Sequence, residues 1–222
     1  MNYFRIDKED VCNGEGLRVV LWLSGCSHKC KGCQNPQTWD ANSGIPFDES
    51  AKKELFRELD KDYISGLTLT GGDPLFEGNL GDVLDLVTEI NMRYNQNVFQ
   101  NADMLLDRGI SNALYSQNEY TEGNHNDCHR IRLSSPQKSI WLYSGYTWEQ
   151  LFEDDDFDIQ GGICENQTRR AIVLSSNVFV DGQYIESQRS ISLPYRGSLN
   201  QRLINVQQSL QKGEIVLWQT WL

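Results

Sequence analysis

Basic residues are scarce in this chain: 20 Lys and Arg face 31 Asp and Glu, a net charge of -11 over 222 residues. That balance argues against a phosphate-binding surface, because nucleic-acid affinity depends on clustered cations. Long apolar runs are also missing. Nothing approaches the roughly 20 residues needed to cross a bilayer, and Met1 to Asp10 contains no apolar core of a secretory signal. A cytoplasmic location is therefore expected. Six cysteines are too few for a disulfide scaffold in a chain of this length, and no internal repeat recurs at a fixed period.

What remains is the composition of an ordinary globular protein, 39% hydrophobic and 23% charged, long enough for one sizeable core. Strand-like runs followed by turns and helical patterns predict an α/β protein. Arg18 to Leu23, Gly66 to Thr70, Ser139 to Tyr143 and Asn177 to Val180 read as strands, and Ile215 to Trp218 is a last apolar run. Asp48 or Ser50 is a candidate cap for a helix reaching Leu59. A second helix carries Leu80, Val83, Leu84, Val87 and Ile90 on one face. A third starts at Thr147, where Gln150 completes a capping box. Two polar stretches, about 95–138 and 154–170, lack periodicity and read as insertions into a single domain spanning 1–222.

The chemistry concentrates after the first strand. Cys26, Cys30 and Cys33 stand in C-x3-C-x2-C on one short loop, in the crowding that fits a metal site in a reducing compartment. Three thiolates and no obvious fourth suit an iron–sulfur cube with one iron left open. Zinc is the other reading, with His28 as a fourth ligand, although His28 sits inside the loop and would need strained geometry. One strand–helix unit later come Gly71, Gly72, Asp73 and Pro74, a strand end where a ligand can approach the backbone closely. Ser144 and Gly145 occupy a further strand end; they line a ligand pocket or form a steric turn. Asp181 and Gly182 invite the same two readings. Arg196 and Arg202 would bind a carboxylate, dock a partner, or simply be solvated. His125, Cys128 and His129 look like metal ligands but lack a fourth partner, and Cys12 and Cys164 read as free thiols.

Taken together, the cysteine loop and Gly71-Gly72-Asp73-Pro74 resemble the radical S-adenosylmethionine superfamily. Within it the chain is similar to the activating proteins of anaerobic (class III) ribonucleotide reductase. The similar stretches include Asn13 to Gly16, Ser24 to Asn35, Gly66 to Pro74, Ile140 to Tyr146, Val180 to Gly182, and Arg196-Gly197-Ser198-Leu199-Asn200-Gln201-Arg202. Asp73 stands where the superfamily usually has Glu, and Gln34 where an aromatic residue often follows the third cysteine.

The resemblance implies an incomplete (β/α) barrel of the radical SAM type, with the insertions outside it. It implies that Cys26, Cys30 and Cys33 ligate a [4Fe–4S] cluster, and that Gly71, Gly72 and Asp73 hold the amino group of S-adenosylmethionine, with Ser144 and Gly145 beside it. One electron from the cluster would split the cofactor, and the 5′-deoxyadenosyl radical would take hydrogen from a glycine on the reductase large subunit. An external one-electron donor such as a flavodoxin is implied as well; direct nucleic-acid or membrane contact is not. Two alternatives stand beside this: a radical enzyme acting on a small molecule, of the deazaguanine-synthase type, and a non-catalytic zinc-binding scaffold.

Overall fold

The computed structural model describes residues 1–95, 137–152 and 165–219. Its frame is a seven-stranded sheet: β1 (Asn2–Asp10), β2 (Arg18–Leu23), β3 (Ile45–Pro46), β4 (Gly66–Gly71), β5 (Ser139–Tyr143), β6 (Val178–Asp181) and β7 (Arg202–Asn205). The spatial order is β3-β1-β2-β4-β5-β6-β7. The pairings β2–β4, β4–β5 and β5–β6 are parallel. Those that flank them, β1–β2, β1–β3 and β6–β7, are antiparallel. The sheet is not closed.

The parallel strands advance in one direction without reversal. With right-handed crossovers, that order puts the connecting helices on a single face. These helices are α1 (Glu49–Leu59), α2 (Leu80–Tyr94), α3 (Trp148–Phe152) and α4 (Glu165–Leu174), and α5 (Val206–Lys212) follows the last strand. Strand alternation then divides the core. Leu21, Leu69, Leu142, Phe179 and Ile204 face Leu55, Val87, Ile90 and Ile172 in the main cluster. Their neighbours Trp141, Val178, Val180 and Leu203 point the other way and form a second, smaller cluster with Tyr143, Tyr195 and Trp218.

The helix starts follow local chemistry. Asp48 accepts from the Ser50 and Ala51 N–H groups and caps α1. At α3 the capping box is reciprocal: Thr147 N donates to Gln150 Oε1 at 2.8 Å, and Gln150 N donates to Thr147 Oγ1 at 3.3 Å. Residues 165–170, placed by their polarity in the second expected insertion, form the first turns of α4. Arg169 is buried there because its Nε donates to Leu75 O at 3.0 Å and Nη1 to Asn166 Oδ1. The ends of the first expected insertion are joined: Asn95 Nδ2 donates to Lys138 O at 2.7 Å, and Lys138 N to Asn95 Oδ1 at 3.0 Å. His125, Cys128, His129 and Cys164 lie outside the described residues. Among the described residues, no helix is long and apolar enough to cross a membrane.

At the base of the inner face, Arg18 is fully buried beneath Trp141. Its guanidinium donates to Thr68 Oγ1, Leu67 O and both the Oγ and the carbonyl of Ser139, at 2.7–2.9 Å, and to Glu15 O at 3.2 Å. The carboxyl ends of the four parallel strands lie at the opposite rim.

Candidate functional site

Four loops meet at that rim: the cysteine loop after β2, Gly72-Asp73 after β4, Ser144 to Tyr146 after β5, and Gly182 to Glu186 after β6. In parallel α/β sheets, sites gather at the carboxyl ends of strands because loop backbone and side chains converge there. The cysteine loop is closed by a short 3-10 turn, Pro36–Thr38, with Gly25 N donating to Thr38 O at 2.8 Å and Cys26 N to Trp39 O at 3.1 Å. Cys33 N donates to Cys30 O, and Asn35 N donates to Cys33 Sγ at 3.3 Å.

The end of β4 packs directly beneath this loop. Gly72 N donates to Leu23 O at 2.7 Å, and Asp73 N to Gly25 O at 2.8 Å. A Cβ on Gly72 would lie 2.4 Å from Gly25 O. Glycine is required here by the close approach of two backbones, whatever ligand binds above them. Asn79 fastens the same junction, its Nδ2 donating to Ser24 O at 2.9 Å and Asp73 O at 3.2 Å.

Asp73 is only 2% exposed. Its Oδ1 accepts from Leu75 N at 2.8 Å, and its Oδ2 from Ser144 Oγ at 3.0 Å and Gly145 N at 3.2 Å. A carboxylate offers about four acceptor positions, so these three donors leave one free. His28 Nε2 stands 2.8 Å from Oδ2 but off the line of a hydrogen bond.

Three of the predicted site positions, Asp73, Ser144 and Gly145, thus form one hydrogen-bonded unit. The expected pocket wall at Gly145 is filled by protein: a Cβ there would sit 2.4 Å from the His28 ring.

All four described cysteines are free thiols. Burial, then the neighbouring Asp73 charge, pushes the Cys26 thiol up. Burial does the same to Cys30, opposed by a hydrogen bond from the Tyr184 N–H. Such thiols react more slowly than an exposed one, and a metal binding them displaces their protons. Among the described residues, no three His, Cys, Asp or Glu side chains converge on a site for a single metal ion. The charge of a Cys30 thiolate would raise the Cys26 thiol, and that of Cys33 the Cys30 thiol.

The segment Arg196 to Arg202 does not present solvated arginines. Arg202 donates Nε to Asp181 Oδ1 at 3.0 Å, and Nη1 and Nη2 to the two Glu149 oxygens at 2.8 and 2.7 Å. Bidentate pairing of this kind holds planar groups in fixed register. It pushes Glu149 down to about 2. Arg196 Nη1 donates to Gln201 O at 2.9 Å. Gln201 Nε2 donates to Gly182 O at 3.0 Å and Asn200 Nδ2 to Gln183 O at 2.8 Å. The motif therefore braces the β6 loop. That loop in turn touches the cysteine loop through Gln183, Tyr184 and Glu186. Sequence reasoning passed over Gln183 and Asn79, and it marked Gln201 only as part of the Arg196 to Arg202 motif, without a bracing role.

The family model for a 4Fe-4S single cluster domain matches residues 12–122 and 124–204. The anaerobic ribonucleoside-triphosphate reductase-activating protein of Enterobacteria phage T4 is 33% identical over 203 residues, covering 91% of this chain and 93% of its own length. Its namesakes from Escherichia coli K12 and Vibrio cholerae are 30% and 31% identical over 203 residues, each covering 90% of this chain and 96% of their own. The chain belongs to the family of anaerobic ribonucleoside-triphosphate reductase-activating proteins. The matched residues include Cys26, Cys30 and Cys33 of the four-loop rim.

Proposed function

We propose that this chain activates an anaerobic ribonucleoside-triphosphate reductase by generating a glycyl radical on it, using S-adenosylmethionine at a 4Fe–4S cluster held by Cys26, Cys30 and Cys33. The observation that carries the reading is the meeting of those cysteines with Gly72, Asp73, Ser144 and Gly145 at one rim, in a member of the reductase-activator family. Bound there, the cluster supplies one-electron reduction of the cofactor's sulfonium and so the radical that takes hydrogen from a partner glycine.

The chain's own residues bind and orient. Cys26, Cys30 and Cys33 lose their protons to become ligands. Asp73 has one acceptor position left, which suits an ammonium group, and Ser144 and Gly145 fix the carboxylate so that this position does not wander. Gly71 and Gly72 bring that carboxylate against the cysteine loop. We read the open sheet as the incomplete (β/α) barrel of the radical SAM type, whose unclosed side admits the partner's glycine-bearing segment. The electron comes from an external one-electron donor such as a flavodoxin, and the free thiols fit the reducing cytoplasm.

The test is spin resonance after anaerobic reconstitution with iron and sulfide, with S-adenosylmethionine, a reductant and the reductase large subunit present. A glycyl doublet is expected with the parent chain and none with Cys30→Ser, which also loses bound iron. A doublet formed without this chain, or full cofactor cleavage by Cys30→Ser, overturns the reading.

A further inference from the structure

The mechanism above leaves one buried ring unused. His28 lies inside the cysteine motif, between Cys26 and Cys30, yet its side chain is only 10% exposed and turns away from its own loop toward the other three. Its Nε2 faces Asp73 Oδ2 after β4 at 2.8 Å. Its Nδ1 lies 3.1 Å from the Gln183 amide nitrogen after β6. Its ring meets Tyr146, after β5, edge-on at 4.6 Å between centroids, and fills the space beside Gly145 that any Cβ would need. One side chain thus contacts the ends of all three neighbouring parallel strands. The Gln183 amide donates to Nδ1, whereas Nε2 packs against Asp73 Oδ2 off the line of a hydrogen bond and leaves the open acceptor position of that carboxylate unclaimed.

We propose that His28 is the positioning residue of the cysteine loop, tying it to the ends of β4, β5 and β6 so that the thiols are held in place before anything binds them. Chain geometry makes such a tie necessary. Within Cys26 to Cys33 the described backbone-to-backbone hydrogen bonds are Cys26 N to Trp39 O and Cys33 N to Cys30 O, the His28 and Lys29 N–H groups turn instead to the Cys26 thiol, and Lys29 adopts a left-handed φ of 45°. A loop with few backbone bonds and a strained residue keeps one shape only where its surroundings impose it. The glycine at 145 is then explained as clearance for the ring.

The proposal rests on the reading of this loop as cluster-bearing, and its test uses protein free of iron, cofactor and reductase. Its failure therefore leaves the activation reading untouched, and failure of activation leaves this one standing. Anaerobic protein is treated with limiting iodoacetamide, and alkylation of Cys26 and Cys30 is timed by mass spectrometry against exposed Cys12 as an internal reference.

His28→Ala removes the tie. Gly145→Ala displaces the ring while keeping the histidine, so it also covers the case in which His28→Ala does not fold. Both are expected to raise the Cys26 rate relative to Cys12 by about fivefold, the factor that corresponds to roughly 1 kcal/mol of lost local stability. An unchanged ratio in either folded variant overturns the proposal.

Discussion

The two ends of the inner sheet face each bury a charge, and they do it in opposite ways. At the base, Arg18 spends its guanidinium on neutral oxygens of β4, β5 and the segment before β2. It is a stopper whose donors are consumed. At the rim, Asp73 is just as buried, but its partners belong to the loops that follow β4 and β5, and one acceptor position stays open. Burial with full satisfaction gives rigidity; burial with one vacancy gives a site. The same sheet uses the first to make the second possible.

The largest expected effect tests the base. Arg18→Met leaves Thr68 Oγ1, Leu67 O and Ser139 O without their donor. At about 1–3 kcal/mol for each buried unsatisfied group, the loss is at least about 3 kcal/mol. For a chain of this size, that lowers the melting temperature of cluster-free protein by about 6–12 °C in calorimetry. A drop confined to a degree or two would break the contrast between the ends.

Next comes the rim itself. Gly72→Val places side-chain carbon where Gly25 O already lies. Overpacking of this kind costs about 1–3 kcal/mol and lifts the cysteine loop off β4. S-adenosylmethionine binding to reconstituted protein, followed by calorimetric titration, should be lost, and unchanged affinity would count against the pocket.

The smallest effect sharpens the comparison through pH. Arg202 holds the Glu149 carboxyl down at about 2, chiefly by hydrogen bonding. A depressed carboxyl pKa stabilises the fold fully above the unfolded value near 4.5, and that contribution fades as pH falls toward 2. Arg202→Gln should therefore melt below the parent at neutral pH, with the gap narrowing between about pH 5 and 2. A gap independent of pH would mean that the pair does not contribute through charge.

Much of this was legible in the sequence where the causes are local. Strands β2 and β5 begin and end where their apolar runs do, Asp48 caps α1, and Thr147 with Gln150 frames α3. The rim cysteines and Gly71-Gly72-Asp73 were visible as motifs. What stayed hidden depends on partners far along the chain. Strand β1 is half charged and gains its place only by pairing with β2. Strand β7 begins at Arg202, inside a motif that reads as loop. The first turns of α4 look like polar insertion until Leu75 O meets Arg169. The reason for glycine at 145 is a histidine 117 positions earlier, and no pattern along the chain signals such a contact.

The Arg18 stopper also has a bearing on timing. With Arg18 and Trp141 closing the base of the sheet, the proposed cofactor and the proposed reductase would both have to approach from the rim. They would then form a queue: the small guest would be seated before the large one covered the doorway.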